Sequence, residues 1–333
     1  MVPQHAKSPC CSTFVYRYGA RRRQCSACKK TWTIRPRKRG RPRKRLSSDL
    51  LRKIFLEGYS LRHFAQRRPH LAQVTFRHHF RRLLESFVRK PRQIRVQNGP
   101  LVLLLDGLWF RFGFTPWVLY QIALKPASGR KAIFLDPVLI QGKESAANWE
   151  RALGTIPVNL QRRIVAVIVD NLRGMEQTAQ RRGWVLQLCQ FHMLLKFQVR
   201  RGMLTHSLRG GDLRTDLYHT IRKALILPNG KLLDAVMLRL KSLAKHPDFP
   251  RRVQGAIREF LACIEHYRAH LNHPTLGLPS TTNTVESMGA LLRHLFKRHH
   301  SATTPKSVLL WATVMTRMRP EIVCNGGSFN RIN

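Results

Sequence analysis

Residues 101–106 read Leu-Val-Leu-Leu-Leu-Asp, and residues 163–170 read Arg-Ile-Val-Ala-Val-Ile-Val-Asp. Each is an unbroken apolar run, too short for a buried helix, of the kind that forms a strand covered on both faces. Each ends in an acid. Between them, Trp117–Leu124 and Ala132–Leu139 are further apolar, β-branched and aromatic runs, and Ser145–Leu153 has helical spacing around Trp149. After Asp170 the pattern predicts a helix through Arg182, a short strand at Trp184–Leu188, and a helix beginning near Cys189-Gln-Phe-His192. Three strands, then helix, strand, helix, strand, helix is an α/β order with a mixed sheet.

Outward from this centre the chain is helical. Residues 201–273 carry three apolar helical stripes, marked by Leu217, Ile221 and Leu225, by Leu233, Val236 and Leu240, and by Val253, Ile257 and Phe260. A Pro-bounded loop at 274–279 precedes an amphipathic helix on Val285, Met288, Leu292 and Leu295, and a last helix is expected at 305–318. Upstream, residues 47–88 read as three helices. Leu50, Leu51, Ile54 and Phe55 mark the first, and Gly58-Tyr59-Ser60 the turn, with Ser60 as N-cap. Leu61, Phe64 and Ala65 mark the second, and Phe76, Phe80, Leu83, Leu84 and Phe87 the third. The third would expose Arg77, His78, Arg81 and Arg82, as a recognition helix of a helix-turn-helix does in a major groove.

Charge narrows the partners. The 333 residues hold 60 Lys and Arg against 17 Asp and Glu, a formal net charge of +43. Residues 1–95 alone carry 27 basic residues against Asp49, Glu57 and Glu85. Such a chain repels itself without a polyanion, and nucleic acid is the expected one. Eight of the eleven residues at 35–45 are basic, and Arg39-Gly40-Arg41-Pro42 within them resembles an AT-hook. There proline keeps the chain extended, glycine lets it lie on the minor-groove floor, and arginines enter a narrow A·T groove. The 43% hydrophobic content excludes wholesale disorder. No apolar run approaches the roughly 18 residues of a membrane span, and the start, Met1-Val-Pro-Gln-His-Ala-Lys, has no secretory apolar region. A soluble intracellular protein with no membrane role is expected.

Four of the seven cysteines crowd into the first 28 residues, which fits metal ligation in a reducing compartment better than disulfides. Cys25-Ser-Ala-Cys28 is a knuckle, and Cys10-Cys11 precedes it across an expected hairpin turn at Tyr18–Arg22, with Thr31–Ile34 as a closing strand. Cys10, Cys11, Cys25 and Cys28 are therefore candidate ligands of a structural Zn²⁺. The first pair is adjacent, and Ser8 stands where a first ligand is expected, so Cys10 or His5 is the candidate fourth ligand.

Acids are so few that their positions carry information. Asp106, Asp136 and Asp170 end apolar strands, where ligands gather at a sheet rim. In a basic protein a carboxylate cluster would repel phosphate unless cations neutralised it, and two Mg²⁺ (or Mn²⁺) ions held there can activate water or a 3′-OH. Glu286, at a helix start, could complete the set, although Asn283-x-x-Glu286 also matches a capping box. Asp136-Pro137 reads as a strand-end turn. Cys189 and His192 are accessory candidates without a derivable role, and Trp32, Trp109 and Trp149 are expected in the core.

Asp106-Gly107 after a strand, Asp170 after a later strand, Cys189-x-x-His192 and Thr282-Asn-Thr-Val-Glu286 occur in this order. The set resembles the DDE transposases of bacterial insertion sequences, in the branch related to Mutator-like elements. So do residues 142–149, Gly-Lys-Glu-Ser-Ala-Ala-Asn-Trp, and the helical stretch before Glu286. The resemblance implies an RNase H-like mixed α/β sheet with an all-α insertion, preceded by a zinc-ribbon-like segment and a helix-turn-helix. The divisions would be 1–34 (zinc-ribbon-like), 35–45 (basic linker), 46–95 (helix-turn-helix), 96–300 (catalytic, with 201–273 inserted) and 301–333 (last helix and tail). It further implies Asp106, Asp170 and Glu286 as catalytic Mg²⁺ ligands, element ends and target DNA as double-stranded partners, a homo-oligomer, and a bacterial, nucleoid-associated cytoplasmic setting. The rival expectation is a DNA-binding regulator derived from such an enzyme and no longer catalytic.

Overall fold

The computed structural model describes residues 8–11, 13–19, 22–33, 46–67, 73–202 and 211–324. The chain divides into two compact units, Met1–Leu46 and Ser47–Asn333. In the first, β1 (Val15–Arg17), β2 (Arg22–Cys25) and β3 (Thr31–Thr33) form an antiparallel sheet in that order. The hairpin and closing strand fall where the sequence places them. Arg39, Gly40, Arg41, Pro42 and the rest of 35–45 lie outside the described residues, as does His5.

The second unit opens with α1 (Asp49–Phe55), α2 (Leu61–Gln66) and α3 (Gln73–Arg89). Ser60 caps α2 by accepting from the His63 backbone N–H at 3.2 Å. Gly58 turns the chain between α1 and α2 at a φ of +76°, a conformation that favours glycine.

A seven-stranded mixed sheet follows. β4 (Leu101–Phe112) and β5 (Thr115–Pro126) form a twelve-residue hairpin, and both β6 (Lys131–Phe134) and β7 (Val138–Gln141) pair antiparallel with β5. After α4 (Ala146–Leu153) and α5 (Val158–Gln161), β8 (Ile164–Val169) returns parallel to β4. Then come α6 (Met175–Arg181) and β9 (Val185–Leu188), which is parallel to β8. α7 (Gln190–Gly202), α8 (Gly211–Ile226), α9 (Lys231–Leu243), α10 (Arg251–Ala262), α11 (Ile264–Tyr267) and α12 (Ala269–Asn272) make up the helical region. α13 (Asn283–His299), α14 (Pro305–Met318) and β10 (Glu321–Val323) close the chain, with β10 pairing on β6. The sheet order is β10-β6-β5-β4-β8-β9 with β7 beside β5. Leu101, Leu103, Leu105, Val167 and Val169 lie within one apolar core that continues through Trp149 and the helical region. Among the described residues, no helix is long and apolar enough to cross a membrane.

Two strand expectations are corrected. The run 132–139 is two strands, because Pro137 has no N–H for the ladder and Asp136 is drawn into an ion cluster. Arg92 reaches Asp136 at 3.1 Å and Arg317 at 2.5 Å, and Arg317 also donates to the carbonyls of Val88 and Lys90 at the end of α3. Asp106 does not end its strand. It sits mid-way along β4, opposite Gln121, because Gly107–Phe112 continues into the hairpin.

α14 holds the α1–α3 bundle to the sheet. Its Trp311, 6% exposed, meets Phe55 at 5.3 Å, Phe80 at 5.6 Å and His299 of α13 at 5.1 Å between ring centroids. His299 accepts from the Leu61 backbone N–H at 3.4 Å. Burial, with Arg298 and His300 beside it, pulls the His299 pKa from 6.5 down to about 4. A histidine depressed in the folded state contributes stability that is complete above its ordinary pKa and is lost as pH falls. Thermal unfolding should therefore shift to lower temperature between pH 6.5 and 4, and His299→Gln should flatten that slope.

Candidate active site

The register of β4 and β8 sets the geometry of the site. Leu104 pairs with Ile168, so Asp106 stands just beyond the point where β8 stops and Asp170 follows its last residue. The two carboxylates thus share one rim of the sheet. α13 delivers Glu286 to the same place, and it can approach because Gly289 has no side chain. A Cβ there would lie 3.2 Å from Gln121 Nε2 and 3.6 Å from Asp106 Oδ2. The loop into α13 is pinned by the buried Lys125, which donates to the carbonyls of Pro126, Ala127 and Gly277 at 3.0–3.1 Å.

The site therefore brings Asp106, Asp170 and Glu286 together with Cys189 and His192. His192 Nδ1 stands in close ion-pair contact with Asp170 Oδ1 and lies 3.5 Å from Glu286 Oε1. Cys189, at the start of α7, has its sulfur 3.7 Å from Glu286 Oε1. Thr282 Oγ1 lies 2.6 Å from Glu286 Oε1 and 3.2 Å from Cys189 Sγ. The capping box does not form, since Thr282, not Asn283, precedes the helix and no side-chain cap bond is made.

Electrostatics mark the cluster as strained by like charge. Burial pushes the Asp106 carboxyl up to about 7, and Asp170, Glu286 and Glu144 push in the same direction while His192 opposes them. Burial works against a charged His192, but Asp170 and Cys189 outweigh it and hold the imidazole at about 11. A cleft of about 460 Å³ opens beside it, lined by Asp170, Asn171, His192, Lys196 and Tyr267.

Sequence reasoning missed three of these residues. Glu144 lies against Gly107, so close that a Cβ there would stand 2.7 Å from its Oε1, and the Trp149 indole N–H donates to it at 3.0 Å. Burial raises its pKa, as does Asp170. Its signal was its place in the 142–149 stretch, but nothing in that stretch pointed at the strand rim. Gln121 is 1% exposed and its amide has no hydrogen-bond partner among the described residues, a polar group buried beside Asp106. Thr282 is fully buried, and its value lies in contacts 93 and 4 residues away.

Trp109 corrects an expectation. It is 50% exposed on the β4–β5 hairpin, while Trp149 is buried as expected and Trp32 is half-buried. On α3, Arg77, His78, Arg81 and Arg82 are all exposed, with Arg81 bonded to Glu85 at 3.0 Å.

In the first unit one sulfur from each of Cys10, Cys11, Cys25 and Cys28 lies within 4.8 Å of the others, a cluster that can hold a metal ion such as zinc. Ser8 is not a ligand but a buried pin. Its Oγ accepts from the backbone N–H of Cys11 at 3.2 Å and meets Cys25 Sγ at 3.4 Å. The Ser8 and Thr13 hydroxyls pull the Cys25 thiol down to about 5, whereas Cys28 beside it holds Cys11 up at about 12. Sulfurs this crowded ionise together only around a cation.

No protein-family model matches this chain, and no curated protein matches it.

Proposed function

We propose that the chain is a DNA transposase of the DDE type, binding the terminal repeats of a mobile element and cutting and joining DNA at the Asp106, Asp170 and Glu286 cluster. The observation that carries this reading is the convergence of three carboxylates on one sheet rim in a protein of net charge +43. In a chain this basic, three carboxylates drawn together would repel phosphate unless a cation stood between them, which supports reading the rim as a cation site. The strand order, with β5 antiparallel to β4 on one side and β8 and then β9 parallel on the other, supports an RNase H-like sheet. The unpartnered Gln121 amide and the raised Asp106 pKa both fit a bound hard cation.

When bound, two Mg²⁺ or Mn²⁺ ions would neutralise the phosphate and favour in-line attack by water and then by the freed 3′-OH. Asp106, Asp170 and Glu286 would hold them. Glu144, fixed by Trp149, adds a fourth negative charge beside Asp106, and His192 offsets part of the total. Arg77, His78, Arg81 and Arg82 would meet DNA from α3, mostly at phosphates. The four-cysteine cluster would be a structural Zn²⁺ site, and residues 39–42 a minor-groove anchor. Two element ends must be joined, so a homo-oligomer is expected, in a bacterial cytoplasm.

The test is a cleavage assay on DNA flanking the gene, with Mg²⁺ or with EDTA. Discrete cuts at inverted-repeat ends that need Mg²⁺ are expected. Specific binding to those ends without cutting, in Mg²⁺ or Mn²⁺, would favour the regulator instead.

A further inference from the structure

The atoms around His192 are not those a magnesium enzyme needs. Mg²⁺ takes oxygen ligands, whereas imidazole and thiolate select zinc and its neighbours. Asp170, Cys189 and His192 each offer one ligand atom, and these three atoms lie within 4.8 Å of one another. Glu286 stands outside that group but beside it, its Oε1 3.5 Å from His192 Nδ1 and 3.7 Å from Cys189 Sγ. Ligands about 2.0–2.3 Å from a tetrahedral ion stand roughly 3.3–3.8 Å apart, so both separations have the length of an edge of such a shell. The His192–Asp170 pair alone is too close and would open to admit an ion.

The surroundings of the sulfur point the same way. Cys189 is 1% exposed, and the Thr282 backbone N–H and hydroxyl approach its Sγ at 3.4 and 3.2 Å. The Thr282 backbone N–H turned to this buried sulfur is an outer contact of the kind that orients a metal ligand.

We propose that Asp170, Cys189 and His192 form a second, mutually exclusive metal site for a borderline-soft divalent ion of the zinc class, with Glu286 beside it. One of its three ligands, Asp170, belongs to the proposed magnesium set, so one ion displaces the other and occupation by zinc holds that carboxylate out of use. The inhibitory consequence rests on the transposase reading; the binding itself does not.

Cobalt(II) is the probe, since a thiolate bound to it gives a near-ultraviolet charge-transfer band. The full-length chain carrying Cys25→Ser and Cys28→Ser removes the band from the N-terminal cluster. This protein should still show one such band, saturating at one equivalent of Co²⁺ and bleached by Zn²⁺. Adding Cys189→Ser should abolish the band. Adding His192→Ala instead should weaken Co²⁺ binding by more than about 100-fold, beyond what changes to outer contacts cost. Adding Asp106→Asn should leave it intact. Absence of the band in the Cys25→Ser, Cys28→Ser chain, or its survival in the Cys189→Ser chain with circular dichroism unchanged, overturns the proposal. A chain that binds Co²⁺ through Cys189 but never cuts DNA keeps this site and loses the transposase reading; one that cuts but shows no band does the reverse.

Discussion

Replacing Asp106 by Asn is expected to abolish Mg²⁺-dependent DNA cleavage while making the metal-free protein more stable. If the proposed metal set is right, the loss should be at least about 10³-fold, or roughly 4 kcal/mol of transition-state stabilisation, because the substitution removes one of its carboxylates and keeps the shape. The gain follows from the electrostatics. Burial and the neighbouring Asp170 and Glu286 raise the Asp106 pKa from 3.8 to about 7. A carboxyl raised in the folded state is favourable below its ordinary pKa, and that contribution is lost as pH rises through the folded value. At pH 8 the wild type therefore bears a cost, of order 4 kcal/mol, that the Asn variant escapes. Melting of the EDTA-treated variant should rise by roughly 10 °C at pH 8, with little difference near pH 4. Added Mg²⁺ should reverse the order, since it stabilises only the protein that binds it. A variant that cuts as well as wild type would remove Asp106 from the chemistry.

The second large effect is structural. Trp311→Ala should destabilise the protein by about 3–5 kcal/mol, read from urea unfolding, because the indole fills the joint between α1, α3, α13 and α14. Phe55, Phe80 and His299 cannot all collapse into the space left, since each belongs to a different helix. Trp311→Phe, which keeps an aromatic ring in place, should cost less than about 2 kcal/mol. Hydrogen exchange should show residues 49–89 losing protection first, because Trp311 ties that bundle to α14. A loss below about 1 kcal/mol for the alanine variant would mean the joint is held elsewhere, with the Arg317 cluster the next place to look.

Much of the sheet was legible because β8 and the first five residues of β4 are uninterrupted apolar runs, and β5 is mostly apolar, so their side chains have one solution, burial. Asp170 and Glu286 were legible for the opposite reason, as acids in a chain with few of them. What failed involved partners distant in sequence. Nothing near Asp136 shows that Arg92 and Arg317 will claim it and split a strand. Trp109 stands between Leu108 and Phe110 as a core residue would, yet on the β4–β5 hairpin, where it pairs with Val118, it is half exposed. Glu144 sits in an irregular segment with no periodicity to aim it, and its carboxylate is held at the site by indoles distant in pattern, with the buried Trp149 N–H reaching back to it at 3.0 Å. Cys189 and His192 stood out as a spacing, but α7 had to start beside Asp170 and Glu286 before their chemistry could be read.

α14 joins the basic third helix and the carboxylate rim into one compact unit. For the proposed enzyme, that makes the protein a caliper. The distance from the bases read by α3 to the phosphate attacked is fixed by protein packing, not by the DNA. Inserting base pairs between the bound sequence and the element end should leave the cut at a constant offset from the bound sequence, so it would fall inside the element rather than at its tip.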